Sequence, residues 1–376
     1  MISLFINMLI YILIAYIALI FTFNLGFDKI SEFILNKKNS ISNNRNFTII
    51  IPFRNEAQNI SALAKSLQKI EYPLTNFEII FVNDGSTDHS VPLLTEFIVQ
   101  HTHWKIIDNI RTSHSPKKDA ITLAIQQAKY NWIITTDADC EVPTTWLQTF
   151  SNFIDTNPTI KMIAAPVKYK TNKRFLDQFQ QMDFLSLIGT TIGSFGINKP
   201  FMCNGANLCY DKATFLKVNG FQGNNHLASG DDVFLLEKIK RIFPNQIKYL
   251  KSKQVIVITK PVNTVQNLIK QRIRWASKTA ATTNNFSKFI GVLVFLANLS
   301  FLFFPFFLLL TTNKTLVFLF LILGKLAIDY LLIKKIHQFM DEKLDFISFV
   351  KSSLVYPFFV VYVVVKSVFT KVEWKN

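Results

Sequence analysis

Residues 1–25 contain no Asp, Glu, Lys, Arg or His, and an uncharged run of that length crosses the ~30 Å hydrocarbon core of a bilayer as a helix. Three more apolar stretches, residues 289–310, 315–333 and 346–365, close the chain. Hydrophobic residues make up 49% of the sequence and mean hydropathy is +0.25. That excess collects before Phe27 and after Phe286, while the middle has the composition of an ordinary globular domain. The expected organisation is an anchor helix over residues 1–27, a globular domain over 47–280 and a membrane region of about three helices over 286–370.

A cleaved signal peptide needs a basic residue ahead of a shorter apolar core. Nothing basic precedes this core, so it reads as an uncleaved anchor. Lys29, Lys37, Lys38 and Arg45 follow it, which predicts a multi-pass protein of the cell (inner) membrane with its middle domain in the cytoplasm. Lys334 and Lys335 return the second C-terminal loop to the same side. If the last stretch spans, Lys366, Lys371 and Lys375 end up outside, against that tendency, and Pro357 offers a re-entrant bend instead. Lys325 and Asp329, four apart, share one helix face. They read either as a self-neutralising pair facing protein or as part of a functional path.

The formal charge of +16 comes with no nucleic-acid-binding motif. Basic groups beside an anionic leaflet, each worth about 1 kcal/mol, account for it better, and a diphosphate ligand also favours positive surroundings. The three cysteines, Cys140, Cys203 and Cys209, form no CxxC pair. They exclude a disulfide framework and a zinc site and read as small thiols in a reducing compartment.

Between residues 47 and 139 short apolar runs alternate with amphipathic stretches. Residues 47–51, 77–82, 104–107 and 132–136 read as strands, and 57–70, 91–99 and 117–129 as helices. Such alternation predicts an α/β domain with a mainly parallel sheet. Ligands of such sheets bind beyond the carboxyl ends of the strands. Polar clusters stand at those ends: Arg54-Asn55-Glu56, Asn83-Asp84-Gly85-Ser86 and Asp137-Ala138-Asp139.

Asp137 and Asp139, alternate residues after a strand, can hold a hard divalent cation such as Mg2+ or Mn2+, with water and phosphate completing the shell. The plain alternative is a solvated acidic turn. Asp84 is placed to accept hydrogen bonds from a nucleotide base or ribose, while Ser86 and Asp88 can equally cap the next helix. Gly230-Asp231-Asp232 precedes a helical stretch. One reading is a helix cap; the other makes a carboxylate, Asp232, the base that deprotonates an acceptor hydroxyl with Asp231 in support. In residues 271–275, Arg274 can grip phosphate and Trp275 offers a flat face for a sugar, or both belong to an interfacial Arg/Trp belt. Residues 175–188 read as a helix on the membrane surface or as a core helix. Asn204-Gly205-Ala206-Asn207 is a turn whose backbone can approach a substrate closely.

The ordered set PFRNE, VNDGSTD, TTDADC, NGAN, SGDD and QRIRW, over residues 47–275, resembles the family 2 inverting glycosyltransferases with membrane helices at both ends. That branch includes poly-N-acetylglucosamine, hyaluronan and cellulose synthases and the relatives of ceramide glucosyltransferase. The resemblance implies a Rossmann-like GT-A fold, a UDP-sugar donor, a divalent metal and displacement with inversion. It implies donor binding by Pro52, Arg54, Asn55, Glu56, Asp84, Lys117, Asp137 and Asp139, with metal at the last two. It places Asn204, Gly205, Gln271, Arg274 and Trp275 at the acceptor and diphosphate, and Asp232 as base beside Asp231. Two departures stand out. The acidic pair is Asp-Asp rather than Glu-Asp, and the C-terminal membrane part is shorter than the channel of the large synthases, so a long product calls for export or biosynthetic partner proteins. The acceptor expected is a membrane lipid or growing polysaccharide. A polyprenyl-phosphate acceptor has no hydroxyl proton to remove and makes an Asp232 base superfluous; a silent nucleotide-sugar sensor or scaffold would not need intact carboxylates.

Overall fold

The computed structural model describes residues 2–35, 45–172, 174–227, 229–308 and 313–370. Lys37, Lys38, Lys371 and Lys375, invoked above for orientation, lie outside the described residues. Along the chain, α1 (Ile2–Lys29) precedes β1 (Phe47–Phe53), α2 (Ile60–Gln68), β2 (Phe77–Asn83), α3 (Ser90–Ile98), β3 (Trp104–Asp108), α4 (Pro116–Gln127) and β4 (Trp132–Thr135). There follow α5 (Trp146–Asp155), β5 (Met162–Ala164), β6 (Val167–Tyr169), α6 (Phe175–Gly196), β7 (Leu208–Asp211), α7 (Lys212–Lys217) and α8 (Asp231–Ile242). The rest is β8 (Ile247–Tyr249), β9 (Val257–Thr259), α9 (Val265–Ala281), α10 (Asn285–Leu302), α11 (Phe304–Leu308), α12 (Asn313–Phe339) and α13 (Phe346–Phe369).

Two compact units interleave along this order. Among the described residues, one takes Ser31–Lys170 and Met202–Lys260; the other takes the chain before Ser31, Thr171–Phe201 and residues 261–370. Hydropathy separates apolar from mixed segments, whereas α6 and α9, which carry polar residues, pack with the apolar helices.

The first unit is built on a seven-stranded sheet in the order β3-β2-β1-β4-β7-β5-β8. β1 pairs in parallel with β2 and β4, and β2 with β3. β1, with the sequence FTIIIPF, is buried along its whole length, as a strand covered on both faces must be. Parallel registers bring Asn83, Phe53 and Thr135 to one edge of the sheet. β7 runs antiparallel to both β4 and β5. Reversal matters for function: residues that precede β7, not those that follow it, reach the edge where β4 ends, and Leu208 pairs with Thr135.

The second unit is helical. Residues Leu4–Lys29, Asn285–Phe306, Thr315–Phe339 and Phe346–Phe369 are long and apolar enough to cross a membrane. α13 is one continuous helix of 24 residues with Pro357 inside it, about 36 Å long, rather than a re-entrant bend. α6 runs eight residues past the stretch expected to be helical, and its Phe179, Phe184, Leu185, Ile188 and Ile192 are buried, so within this unit it is a core helix. α6 lies against α1 by backbone-to-backbone approach. A Cβ on Gly26, Gly193 or Gly196 would strike the facing main chain, the small-residue device by which helices associate where lipid removes the hydrophobic drive. Lys325 meets Asp329 at 2.9 Å, Tyr16 Oη donates to Asp329 at 2.8 Å, and the ammonium stands 5.0 Å over the Tyr16 ring. The self-neutralising reading of that pair holds, with Tyr16 of α1 as a third member. Lys335 Nζ joins Asp28 at 2.6 Å and so ties α12 to α1.

Candidate active site

The loops after β1 and β2 are knitted together. Asn55 adopts a left-handed conformation at φ 54, a region that asparagine tolerates better than most residues. Its amide N–H donates to Ser86 Oγ at 3.1 Å, and its side-chain oxygen accepts from the Thr87 amide at 2.8 Å. The Glu56 amide donates to Ser90 Oγ at 2.7 Å, and the Ala57 amide to Asp88 Oδ2 at 3.0 Å. Asp88 also accepts from the Ser90 amide at 3.0 Å. Slight burial opposes its charge, but the donors from Ser90 and Ala57 hold its carboxyl below the ordinary value. Ser86 and Asp88 thus join two loops, and α3 is preceded by His89 with no side-chain cap. Pro52 lies buried inside β1 opposite Val82.

Asp84 follows β2 with a side chain that is 0% exposed. Arg111, a residue the sequence motifs do not mark, meets it in a fork: Nε to Oδ1 at 2.8 Å and Nη2 to Oδ2 at 2.8 Å. Asn109 Nδ2 donates both to Asp84 Oδ1 at 2.7 Å and to the Pro116 carbonyl at 3.0 Å, joining Asp84 to the start of α4.

The first turn of α4 is the hub. Lys117 Nζ lies 2.7 Å from Asp137 Oδ1 and 3.2 Å from Asp231 Oδ2. Burial opposes its charge, but Asp137, Asp231 and Asp232 together with the hydrogen bond to Asp137 hold the ammonium well above the ordinary lysine value. Asp119, two residues on, accepts from the Thr112 and Ser113 amides at 3.0 and 2.9 Å and so fixes the loop carrying Arg111.

Gly205 closes the group from the other side. Its amide donates to Asp232 Oδ2 at 3.2 Å, and its carbonyl accepts from Thr135 Oγ1 at 2.8 Å. A Cβ there would stand 2.9 Å from Asp231 Oδ2, so any larger residue would have to displace that carboxylate. Asp231 and Asp232 open α8 as its first two residues, and the cap position belongs to Gly230 at φ 87, without a side-chain cap. The cap position itself is thus filled by a left-handed glycine, and the two aspartates occupy the first turn. Asp232 Oδ1 instead accepts from the Val233 amide at 2.8 Å. Asn204 accepts from the Ala206 amide, and Asn207 is a buried strut held by Trp146, Pro166 and Val255.

Asp137 and Asp139 flank buried Ala138 and are themselves partly exposed. Among the described residues no group of three His, Cys, Asp or Glu side chains is arranged to hold a metal ion. Two partly exposed carboxylates at alternate positions after a strand are the oxygen donors that a hard cation takes. Burial, Asp139 and Asp137 push the neighbouring Cys140 thiol well above its usual range, which makes it inert rather than a ligand.

Gln271, Arg274 and Trp275 sit on α9 in the helical unit. There the buried cation is Arg272, not Arg274: its Nε meets Asp183 Oδ2 at 2.5 Å and its guanidinium lies 4.1 Å over the Trp275 ring. Phe184 packs on the same indole at 6.0 Å. Trp275 is therefore held in one orientation by a stacked arginine and a phenylalanine.

A mostly parallel sheet with one reversed strand, an acidic pair after its central strand and a second acidic pair opening a later helix is the arrangement of a GT-A fold. The family 2 glycosyl transferase model matches residues 48–215, and that of glycosyl transferase family group 2 matches 132–364, more than half of the chain. The chain belongs to glycosyl transferase family 2. It is 25% identical over 226 residues to the poly-beta-1,6-N-acetyl-D-glucosamine synthase of Staphylococcus epidermidis, covering 59% of this chain and 52% of that protein. With the glycosyltransferase YkcC of Bacillus subtilis it shares 34% over 98 residues, 26% of this chain and 30% of that one. The chain thus spans about half, or less, of the curated relatives it matches. Among solved structures, the mannosyltransferase PcManGT of Pyrobaculum calidifontis, in complex with GDP-Man and Mn2+, superposes with a TM-score of 0.52 at 15% identity. The match covers 96% of this chain and 99% of that one and establishes the common fold.

Proposed function

We propose that this chain is an inverting glycosyltransferase that moves a hexose or N-acetylhexosamine from a UDP-sugar to a membrane lipid or growing polysaccharide at the cytoplasmic face of a membrane. The observation that carries the reading is the junction at Lys117. One ammonium joins Asp137 of the TTDADC motif to Asp231 of SGDD, and the Gly205 amide of NGAN reaches Asp232 beside it. Three motifs far apart in sequence thus meet around a charge that a diphosphate would also seek. Family membership and the named activity of the staphylococcal relative support the sugar class.

In this reading Asp84, backed by Arg111, meets the uridine, and Lys117 turns from the carboxylates to the diphosphate. Asp137 and Asp139 hold a divalent cation, which when bound supplies Lewis-acid stabilisation of the departing diphosphate. Asp232 takes the proton from the acceptor hydroxyl. The hydroxyl oxygen then bonds to the anomeric carbon from the face opposite the departing diphosphate. The bond from that carbon to the diphosphate oxygen breaks, and its electron pair leaves with UDP. Inversion in one displacement needs no covalent enzyme intermediate.

The test is to supply the full chain in lipid with a panel of radiolabelled UDP-sugars, with Mg2+ or Mn2+ and with EDTA, and to separate lipid-soluble from polymeric product. One sugar transferred in a metal-dependent way is the expected result. No turnover or hydrolysis of any UDP-sugar would end the proposal.

A further inference from the structure

Lys118, next to the hub lysine, is buried to 1% exposure. Its ammonium donates to the carbonyls of Asn224 at 2.6 Å and Leu227 at 2.9 Å, and stands 5.1 Å from the centre of the Phe234 ring. These contacts bracket Asp231-Asp232: the two carbonyls belong to the turns leading into Gly230, and the ring lies in the first turn of α8. Phe234 also fills the space where Gly230 would carry a Cβ, which would come 2.5 Å from the ring. Lys238 holds the Gln222 carbonyl at 2.7 Å, but Gln222, Gly223, Asn225 and His226 are exposed, so beyond that point the Lys118 contacts are what ties the lead-in down.

We infer that Lys118 is a positioning residue for the acid pair, setting where Asp231 and Asp232 stand by clamping the backbone on one side of them and the Phe234 ring on the other. An ammonium has three donors and no acceptor, so converging carbonyls and an aromatic face suit it, and an isosteric apolar chain cannot replace it. Two consecutive residues of α4 thereby divide the work. Lys117 contacts the carboxylates, and Lys118 holds the segment that presents them. The inference rests on the proposed role of Asp232 as base.

The test compares wild type, Lys118→Met and Lys118→Arg as full-length protein in lipid. Lys118→Met is expected to keep UDP affinity and donor KM within about twofold while kcat falls. The fall is about 100-fold, the cost of misplacing a reacting group by ~1 Å. Lys118→Arg, which can still donate to both carbonyls, recovers about tenfold of that loss. Amide hydrogen exchange over residues 221–232 rises in Lys118→Met, while β1 and β2 stay protected. Unchanged kcat, a loss of UDP affinity in step with kcat, or an equal rise of exchange in β1 and β2 would each overturn the assignment. If wild type transfers no sugar, the base reading fails by itself. The exchange comparison still decides on Lys118, since unchanged protection at 221–232 refutes the clamp.

Discussion

Arg111 closes on Asp84 through two parallel hydrogen bonds, each 2.8 Å long. The carboxylate is fully buried and the guanidinium is about half exposed, so any nucleotide that reaches Asp84 does so in the presence of Arg111. Paired bonds of this kind fix an angle as well as a distance. A charged hydrogen bond contributes about 1.5–3 kcal/mol, reduced to about 1 kcal/mol where solvent screens the arginine. Arg111→Ala is expected to weaken UDP binding about fivefold, and Arg111→Lys to recover little, because lysine cannot reproduce the fork. Calorimetric titration with UDP checks this. Wild-type affinity in Arg111→Ala would place the uridine elsewhere.

Lys117 predicts a flat alkaline limb. Its carboxylate neighbours outweigh burial and raise its value above that of an ordinary lysine. A raised ammonium contributes stability that is complete below the unfolded lysine value, ~10.4, and is lost only as pH climbs through the higher folded one. The gap in thermal stability between wild type and Lys117→Met, about 3 kcal/mol for breaking a largely buried ion pair, should therefore stay constant from neutral pH to about pH 10. A gap that closes near pH 8 would mean that the amine is not held by Asp137 and Asp231.

Gly205 predicts a separation of binding from transfer. Gly205→Ala brings a methyl 2.9 Å from Asp231 Oδ2 and must displace that carboxylate, the neighbour of Asp232. Overpacking of this sort costs about 1–3 kcal/mol, and a shift of the reacting group costs about 100-fold in kcat. UDP affinity should change little. Asp232→Asn should behave alike, with UDP bound and transfer lost. Unchanged transfer in Asp232→Asn would move the base to another residue.

The Lys325–Asp329 pair predicts non-additive stability in the helical unit. Lys325 is nearly fully buried, with a side-chain exposure of 4%. Asp329→Asn leaves its ammonium uncompensated and should destabilise the bundle by about 3–5 kcal/mol, whereas replacing both residues with leucine should recover most of that loss. Thermal unfolding in detergent decides it. If the double variant is as unstable as the single, the pair does more than neutralise itself.

Much of the sheet unit was legible because its signals are local. β1, β2, β3 and β4 begin where their apolar runs begin, at Phe47, Phe77, Trp104 and Trp132. Within the described residues the four apolar stretches are helical for the same reason, residues 289–308 as α10 and α11. The TTDADC, NGAN and SGDD motifs stood out through residue type and order. Arg111 was not legible, since a single arginine in a polar loop carries no pattern; only its distance from Asp84 singles it out. Lys118 was hidden by its neighbour, because two adjacent lysines look equivalent until the helix start sends one to the carboxylates and the other to the Asn224 and Leu227 carbonyls.

By itself, then, the sequence determined where strands and apolar helices form, and which acids stand ready at strand ends, because periodicity and strand-end placement depend on neighbours in the chain. Tertiary structure alone decided which of these meet. The reversal of β7 carries Gly205 to the carboxyl end of β4, and the first turn of α4 delivers Lys117 to Asp137 and Asp231. It also decided that α6 and α9 pack with the apolar helices. Those outcomes rest on contacts between residues tens to hundreds of positions apart, and no local pattern of hydropathy or propensity encodes such distances.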